Sequence, residues 1–343
     1  MVLGLTELGY KVKVISHEDK AIDYSWMSEE FEKIVRTDYA AAEKTIIFTP
    51  PIFMQAHHRL GETFAYTMFE TERISEEDVK SVNLFDGVIV TCEHSAKAFK
   101  RSGVKPRIYK APLCIDYDFW DGDRIEYPAF RFISHGTHSE RKGTDLMIRA
   151  FLEEFRDEND VELFLKDTVA GAQKFRMGIG TEDFRIRRFV GGLSPDALRR
   201  LLLTADCGVF SSRGEGWGLG AMECMSLGLP VILTDYGGLA EMADRRYNYP
   251  LRVERLVPSL PYYSRLTTKT TGVGKWAEPD VAHLRKLMRF VYANRDKARR
   301  KGKLASKWIR KKFTREIQAK LVAEALGLEP IRDSSEARVI KHP

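Results

Sequence analysis

Apolar residues in the first half of the chain fall into short β-branched or aromatic runs: VKVIS at 12 to 16, TIIFT at 45 to 49, FAYTM at 64 to 68, GVIVT at 87 to 91 and RIYKA at 107 to 111. Between them lie polar, amphipathic stretches, and this alternation predicts βαβ units and a parallel sheet. SEEDVKSVNLF, residues 75 to 85, opens like a capped helix, with Ser75 followed three residues later by Asp78, and Ser95 to Ser102 predicts another helix. A second series repeats the pattern: FRFISHG from Phe130, VELFLK at 161 to 166, FRIRRFV at 184 to 190, CGVFSS at 207 to 212 and PVILTD at 230 to 235. The segment APLCIDYDFWDGDRIEYP has turn residues and little periodicity, which places the interdomain connection there. From Asp280 onward the pattern is helical.

The reading is α/β with two Rossmann-like domains facing across a cleft. Residues 1 to 113 form the first, joined by a crossover helix at 314 to 328 and a tail to 343. Residues 114 to 313 form the second. A chain of 343 residues exceeds what one core usually supports. The cleft is the expected ligand site, because open parallel sheets bind at the carboxyl ends of their strands.

Composition narrows the function class. Apolar residues make up 43% and charged residues 30%, and no stretch nears the ~20 apolar residues that span a bilayer. The N-terminus, MVLGLTELGYKVKVIS, lacks the layout of a signal peptide, so a cytoplasmic protein is expected. Cys92, Cys114, Cys207 and Cys224 lie far apart and read as reduced thiols. The net charge of +6 conceals a segment, Arg295 to Arg315, with eleven bases against one acid; that local +10 leaves the remainder at −4. Such a segment offers itself to an anionic membrane surface or to nucleic acid, the alternative being a solvated helix face. Leu304, Trp308 and Ile309 read as one apolar stripe docking the segment onto the protein.

The chemistry concentrates in SSRGEGWGLGAMECMSLGLPVILTDYGG, residues 211 to 238. A strand, a glycine loop and a helix make an anion-binding arrangement in which Gly216, Trp217 and Gly218 present backbone N–H groups at the helix N-terminus. Glu215 and Glu223 are eight residues apart, on the order of 12 Å at 1.5 Å rise, the separation of a hexose from a ribose. A carboxylate at each end of a diphosphate linkage suits vicinal hydroxyls. Isolated glutamates are ordinarily surface acids; the flanking pattern is what distinguishes these two.

That pattern resembles the family-four glycosyltransferases, retaining enzymes of GT-B fold marked by two glutamates within a run like EGxGLxxxEAMxxGxPVI; this chain reads EGWGLGAMECMSLGLPVI. The resemblance continues in SHGTHSERKGTDLMIRAF, 134 to 151, and in WAEPD, 276 to 280, and covers about Gly87 to Leu326. It implies that Lys142 contacts the diphosphate of a nucleoside diphosphate sugar, Glu215 the transferred sugar, Glu223 the ribose hydroxyls, and that Gly191 lies near the base. The expected reaction is hexose transfer to an acceptor hydroxyl with retained configuration. No metal and no further cofactor are expected: His57 and His58 are adjacent, and His135 and His138 lack a third ligand in sequence.

Two departures accompany the resemblance. Thr137 stands where the family has an arginine, and Arg141 is the candidate to supply the charge. No histidine follows the FAYTM strand; the chain reads FAYTMFETE, so Glu70 or Glu72 is expected on the acceptor side. The chain also opens with what reads as helix one and strand two, so the first strand of the N-terminal sheet is expected to be absent. The true start then lies upstream, or the sheet is rearranged or completed by another chain as in a homo-oligomer, with weak activity in this form. A non-catalytic nucleotide-sugar-binding protein and a nucleotide-sugar epimerase of the same fold are the competing functions.

Overall fold

The computed structural model describes residues 1–14, 33–34, 43–51, 61–169, 183–259 and 273–329. Within them, helix α1 (Val2–Glu7) precedes strands β1 (Lys44–Phe48) and β2 (Glu62–Thr67), helix α2 (Glu76–Val82), strand β3 (Gly87–Val90), helix α3 (Glu93–Ser102) and strand β4 (Arg107–Lys110). The four strands pair in the order β1-β2-β3-β4, all parallel. Residues 12 to 14 of the expected VKVIS strand form no regular element, and its last two residues, like His57, His58 and the tail from 330, lie outside the described residues.

The second sheet holds β5 (Phe130–Gly136), β6 (Val161–Asp167), β7 (Ile186–Val190), β8 (Cys207–Phe210), β9 (Val231–Thr234) and β10 (Tyr249–Leu251). Their order is β10-β9-β8-β5-β6-β7, again parallel throughout. A two-stranded antiparallel ribbon, β11 (Val253–Pro258) with β12 (Lys275–Pro279), flanks it. The interleaved helices are α4 (Thr144–Glu154), α5 (Pro195–Leu203) and α6 (Leu219–Ser226), followed by α7 (Val281–Ala293), α8 (Arg295–Lys312) and α9 (Arg315–Ala325). The central strands are buried on both faces, as near-continuous apolar runs such as VILT and CGVF require. Two parallel-sheet α/β domains thus face each other across a cleft, the GT-B arrangement.

Helix starts follow the capping residues. Ser75, Ser194, Asp280 and Thr314 each accept a hydrogen bond from an amide three residues on. Helix α3 begins earlier than its sequence suggests, because the Cys92 sulfur caps it by accepting from the Ser95 amide. Helices α7 and α8 are separate, broken at Asn294. Helix α9 packs with α1 against the first sheet around Leu5, Tyr66, Ile89 and Val322, and Gln318 donates to the Tyr66 hydroxyl. Of the expected stripe, Ile309 is buried and Trp308 packs on the core, stacked on Tyr247, but Leu304 is corrected: it is 52% exposed, and Ala298, Gly302 and Ala305 complete the docked face of α8. Gly302 fits so closely that a Cβ would meet the Gly228 carbonyl oxygen at 2.1 Å, so α8 approaches closely where its small residues lie.

Candidate active site

The site begins where the loop after β8 meets the loop before α4. Gly143 has φ +62°, and a Cβ there would lie 2.0 Å from the Ser211 carbonyl oxygen, so only glycine permits this approach. Ser211 Oγ donates to the Gly143 carbonyl at 3.0 Å and the Arg213 amide donates to the Arg141 carbonyl at 2.7 Å. The Arg213 guanidinium spans Asp145 at 2.8 Å and Glu278 at 2.6 Å, tying the loop to α4 and β12. These ties fix Arg141 and Lys142 at the cleft.

Glu215 is the focus. Its carboxylate pairs with Lys142 Nζ, accepts from Ser212 Oγ at 2.9 Å and lies 3.3 Å from Arg141 Nη1. Burial alone would raise its pKa, but Lys142, Arg141 and Ser212 outweigh that and hold it down to about 2. Arg141 also donates to the Gly214 carbonyl at 2.5 Å and sits 3.8 Å from Glu70 Oε1. Thr137 accepts a hydrogen bond from the Thr168 hydroxyl at 3.2 Å. Burial raises the pKa of Glu70 against the pull of Arg141.

Helix α6 begins at Gly218, φ +119°, with no side-chain cap among the described residues. Trp217 contributes backbone only: its indole is 1% exposed and packs edge-on against Phe313. The loop is pressed against the first domain. Thr91 Oγ1 donates to the Gly216 carbonyl at 2.6 Å, and a Cβ on Gly214 would meet the Glu70 carbonyl oxygen at 2.7 Å.

Glu223, one turn into α6, has a side chain 16% exposed and 3.3 Å from His135 Nε2. Burial lifts its pKa to about 8, only partly countered by Lys142. It is therefore a neutral acid at neutral pH, a hydrogen-bond donor as well as an acceptor, where the sequence suggests a plain carboxylate. His135, which sequence reasoning weighed only as a metal ligand, is held neutral by burial, its pKa falling to about 3. Its one legible signal was its place at the end of β5. Gly191, φ +147°, follows β7 and donates to the Asp167 carbonyl at 3.1 Å, on the far side of β6 from α6. Glu72 serves the backbone, its amide donating to the Lys275 carbonyl at 3.1 Å. Among the described residues no three His, Cys, Asp or Glu side chains cluster at metal-binding geometry.

Comparison with known proteins follows this geometry. Residues 129–258 match the family model described as "Glycosyl transferases group 1". A curated relative, uncharacterized protein 356 of Sulfolobus islandicus rod-shaped virus 1, is 24% identical over 206 residues, covering 54% of this chain and 55% of its own; the chain thus matches about half the length of that relative. Among solved structures, sucrose-phosphate synthase from Thermosynechococcus elongatus aligns with a TM-score of 0.63 and 16% identity over 82% of this chain and 73% of that one. HepE of Anabaena, solved with UDP, aligns at 0.59 and 16% over 78% and 72%. The pneumococcal O-GlcNAc transferase GtfA, solved with UDP and GlcNAc, aligns at 0.51 and 15% over 77% and 52%. At these identities the likeness is one of fold, and the chain has the GT-B fold.

Proposed function

We propose that this chain is a retaining glycosyltransferase that moves a hexose from a nucleoside diphosphate sugar to an acceptor hydroxyl without a metal ion. The observation that carries the reading is the convergence of Lys142, Arg141 and the uncapped start of α6 around Glu215 at the cleft. Cations and helix amides stabilise a departing diphosphate where its charge develops. In the transfer, the bond from the anomeric carbon to the diphosphate oxygen breaks and its electron pair leaves with the diphosphate. The acceptor oxygen bonds to the same carbon on the same face, and its proton passes to the departing oxygen. Glu215 holds the sugar, Glu223 the ribose, the Gly191 turn lies near the base, and Glu70 faces the acceptor. Solved relatives in the same fold that carry UDP, or UDP with GlcNAc, support a nucleotide in this cleft.

Calorimetry tests the assignment. Glu223→Ala weakens free nucleoside diphosphate by ~0.5–1.5 kcal/mol for a neutral hydrogen bond, whereas Glu215→Ala spares it and weakens the sugar-bearing donor by ~1.5–3 kcal/mol for a charge-assisted one. Equal effects of both on the free nucleotide sink the assignment. Release of nucleoside diphosphate only with acceptor present separates a transferase from an epimerase or a binding protein.

The reading extends to location: a cytoplasmic protein peripheral to an anionic membrane. Arg300, Lys303, Lys307 and Lys311 line the side of α8 opposite its buried stripe, exposed and without ion pairs or hydrogen bonds among the described residues, around the exposed Leu304. No described helix is long and apolar enough to cross a membrane.

A further inference from the structure

A cavity of about 200 Å³ lies at the carboxyl ends of β1 and β2, on the first-domain side of the cleft. Its walls are mostly apolar: Phe48, Pro50, Pro51, Met68 and Phe69, with Tyr66 behind them. Phe48 is 55% exposed and stands edge-on to Tyr66, ring centroids 5.2 Å apart. An exposed aromatic at the rim of an apolar hollow is an unfilled packing surface.

The polar groups on the lining are few. Tyr66 donates its hydroxyl to the Ala111 carbonyl at 2.8 Å, and Asp78 accepts from Ser75 Oγ at 2.7 Å, so both are committed within the protein. Thr67 is 2% exposed and its hydroxyl oxygen is buried out of reach of the cavity. Glu70 closes the cavity on the cleft side and links it to Arg141, 3.8 Å away, and through Arg141 to Glu215.

Volume and lining together select the occupant. A dry apolar cavity of ~150 Å³ accommodates benzene, so this one takes a six-membered aromatic ring with a short substituent. A pyranose has similar bulk but brings a hydroxyl on nearly every carbon, and apolar walls leave those hydroxyls unpaired. We infer that this cavity is the acceptor subsite and that the acceptor is an alcohol carried on an aromatic-ring-sized apolar group, its hydroxyl lying at Glu70. This deepens the transferase reading and rests on it for the word acceptor; the ring-binding cavity itself does not.

The test uses the full chain and 4-fluorobenzyl alcohol observed by fluorine NMR, with methyl glucoside as the polar competitor and no donor present. The ring alcohol binds the wild-type chain, methyl glucoside in excess does not displace it, Phe48→Ala weakens it about tenfold, the worth of one aromatic contact, and Thr67→Leu, which fills the cavity, abolishes it. Circular dichroism melting checks that both variants are folded, and Phe48→Ala, at an exposed position, serves if Thr67→Leu does not fold. No binding of the ring alcohol, displacement by methyl glucoside, or binding untouched in a folded variant overturns the inference. A second arm measures nucleoside diphosphate release from a panel of donors. Ring binding with no donor consumed upholds the cavity and sinks the transferase reading. Release stimulated by methyl glucoside and not by the ring alcohol overturns the inference alone.

Discussion

Replacing Glu223 with glutamine in the unliganded protein changes how stability depends on pH. Burial raises the folded-state pKa of Glu223 from the usual 4.5 to about 8. Below pH ~4.5 the group is protonated in both states and contributes nothing either way. Between ~4.5 and ~8 only the unfolded chain releases the proton, so folding stability falls by ~1.4 kcal/mol per pH unit. The stability present at low pH is thus lost as pH rises toward the folded pKa, about 4 kcal/mol between pH 5 and 8 as an order of magnitude. Glutamine keeps the shape and hydrogen-bonding capacity and removes the proton. Glu223→Gln therefore matches the wild type at pH 5 and exceeds it progressively up to pH 8. At ~2–4 °C per kcal/mol, the gap in melting temperature reaches on the order of 10 °C. Calorimetric melting of both proteins from pH 5 to pH 9 reads the difference directly, with every other titrating group common to both. Parallel curves would show that Glu223 ionises normally and that the environment assigned to it around His135 and Lys142 is wrong.

Gly143→Ala sets a Cβ into the Ser211 carbonyl oxygen at a positive φ, so it should destabilise the second domain by ~2 kcal/mol or more and weaken nucleotide binding, read by melting and calorimetry; unchanged values of both would refute the tight contact. On α8, changing Arg300, Lys303, Lys307 and Lys311 together to glutamine should abolish salt-sensitive binding to phosphatidylserine vesicles, measured by co-sedimentation, while leaving the melting temperature within ~2 °C, since these side chains make no bonds to the described residues. Arg310 and Lys312 do not belong in that set, because they donate to the carbonyls of Tyr117 and Glu241. Binding that persists at high salt, or in the variant, removes the membrane surface from the reading.

The alternation of strands and helices, the parallel sheets and the placing of a glycine loop before a helix were legible in the sequence, because period, caps and turn residues are local properties; the antiparallel ribbon of β11 and β12 was not. TIIF, GVIV, VILT and CGVF each read as strands on their own, and Ser75, Ser194, Asp280 and Thr314 mark helix starts within four residues of chain. What the sequence alone left open depends on groups far apart in it. The place of Arg141 is set by Gly214, Glu215 and Glu70, and the split in character between Glu215 and Glu223 has the same origin. Both are glutamates in one motif; one faces two cations and stays charged, the other is buried beside a neutral histidine and holds its proton. The apolar cavity likewise joins residues of two strands, and the close approach of α8 depends on the fit of Gly302 against Gly228, which leaves Leu304 exposed. Desolvation and close packing are sums over neighbours brought together by the fold, so the sequence determined which groups the site would contain, and only the tertiary structure decided their charge.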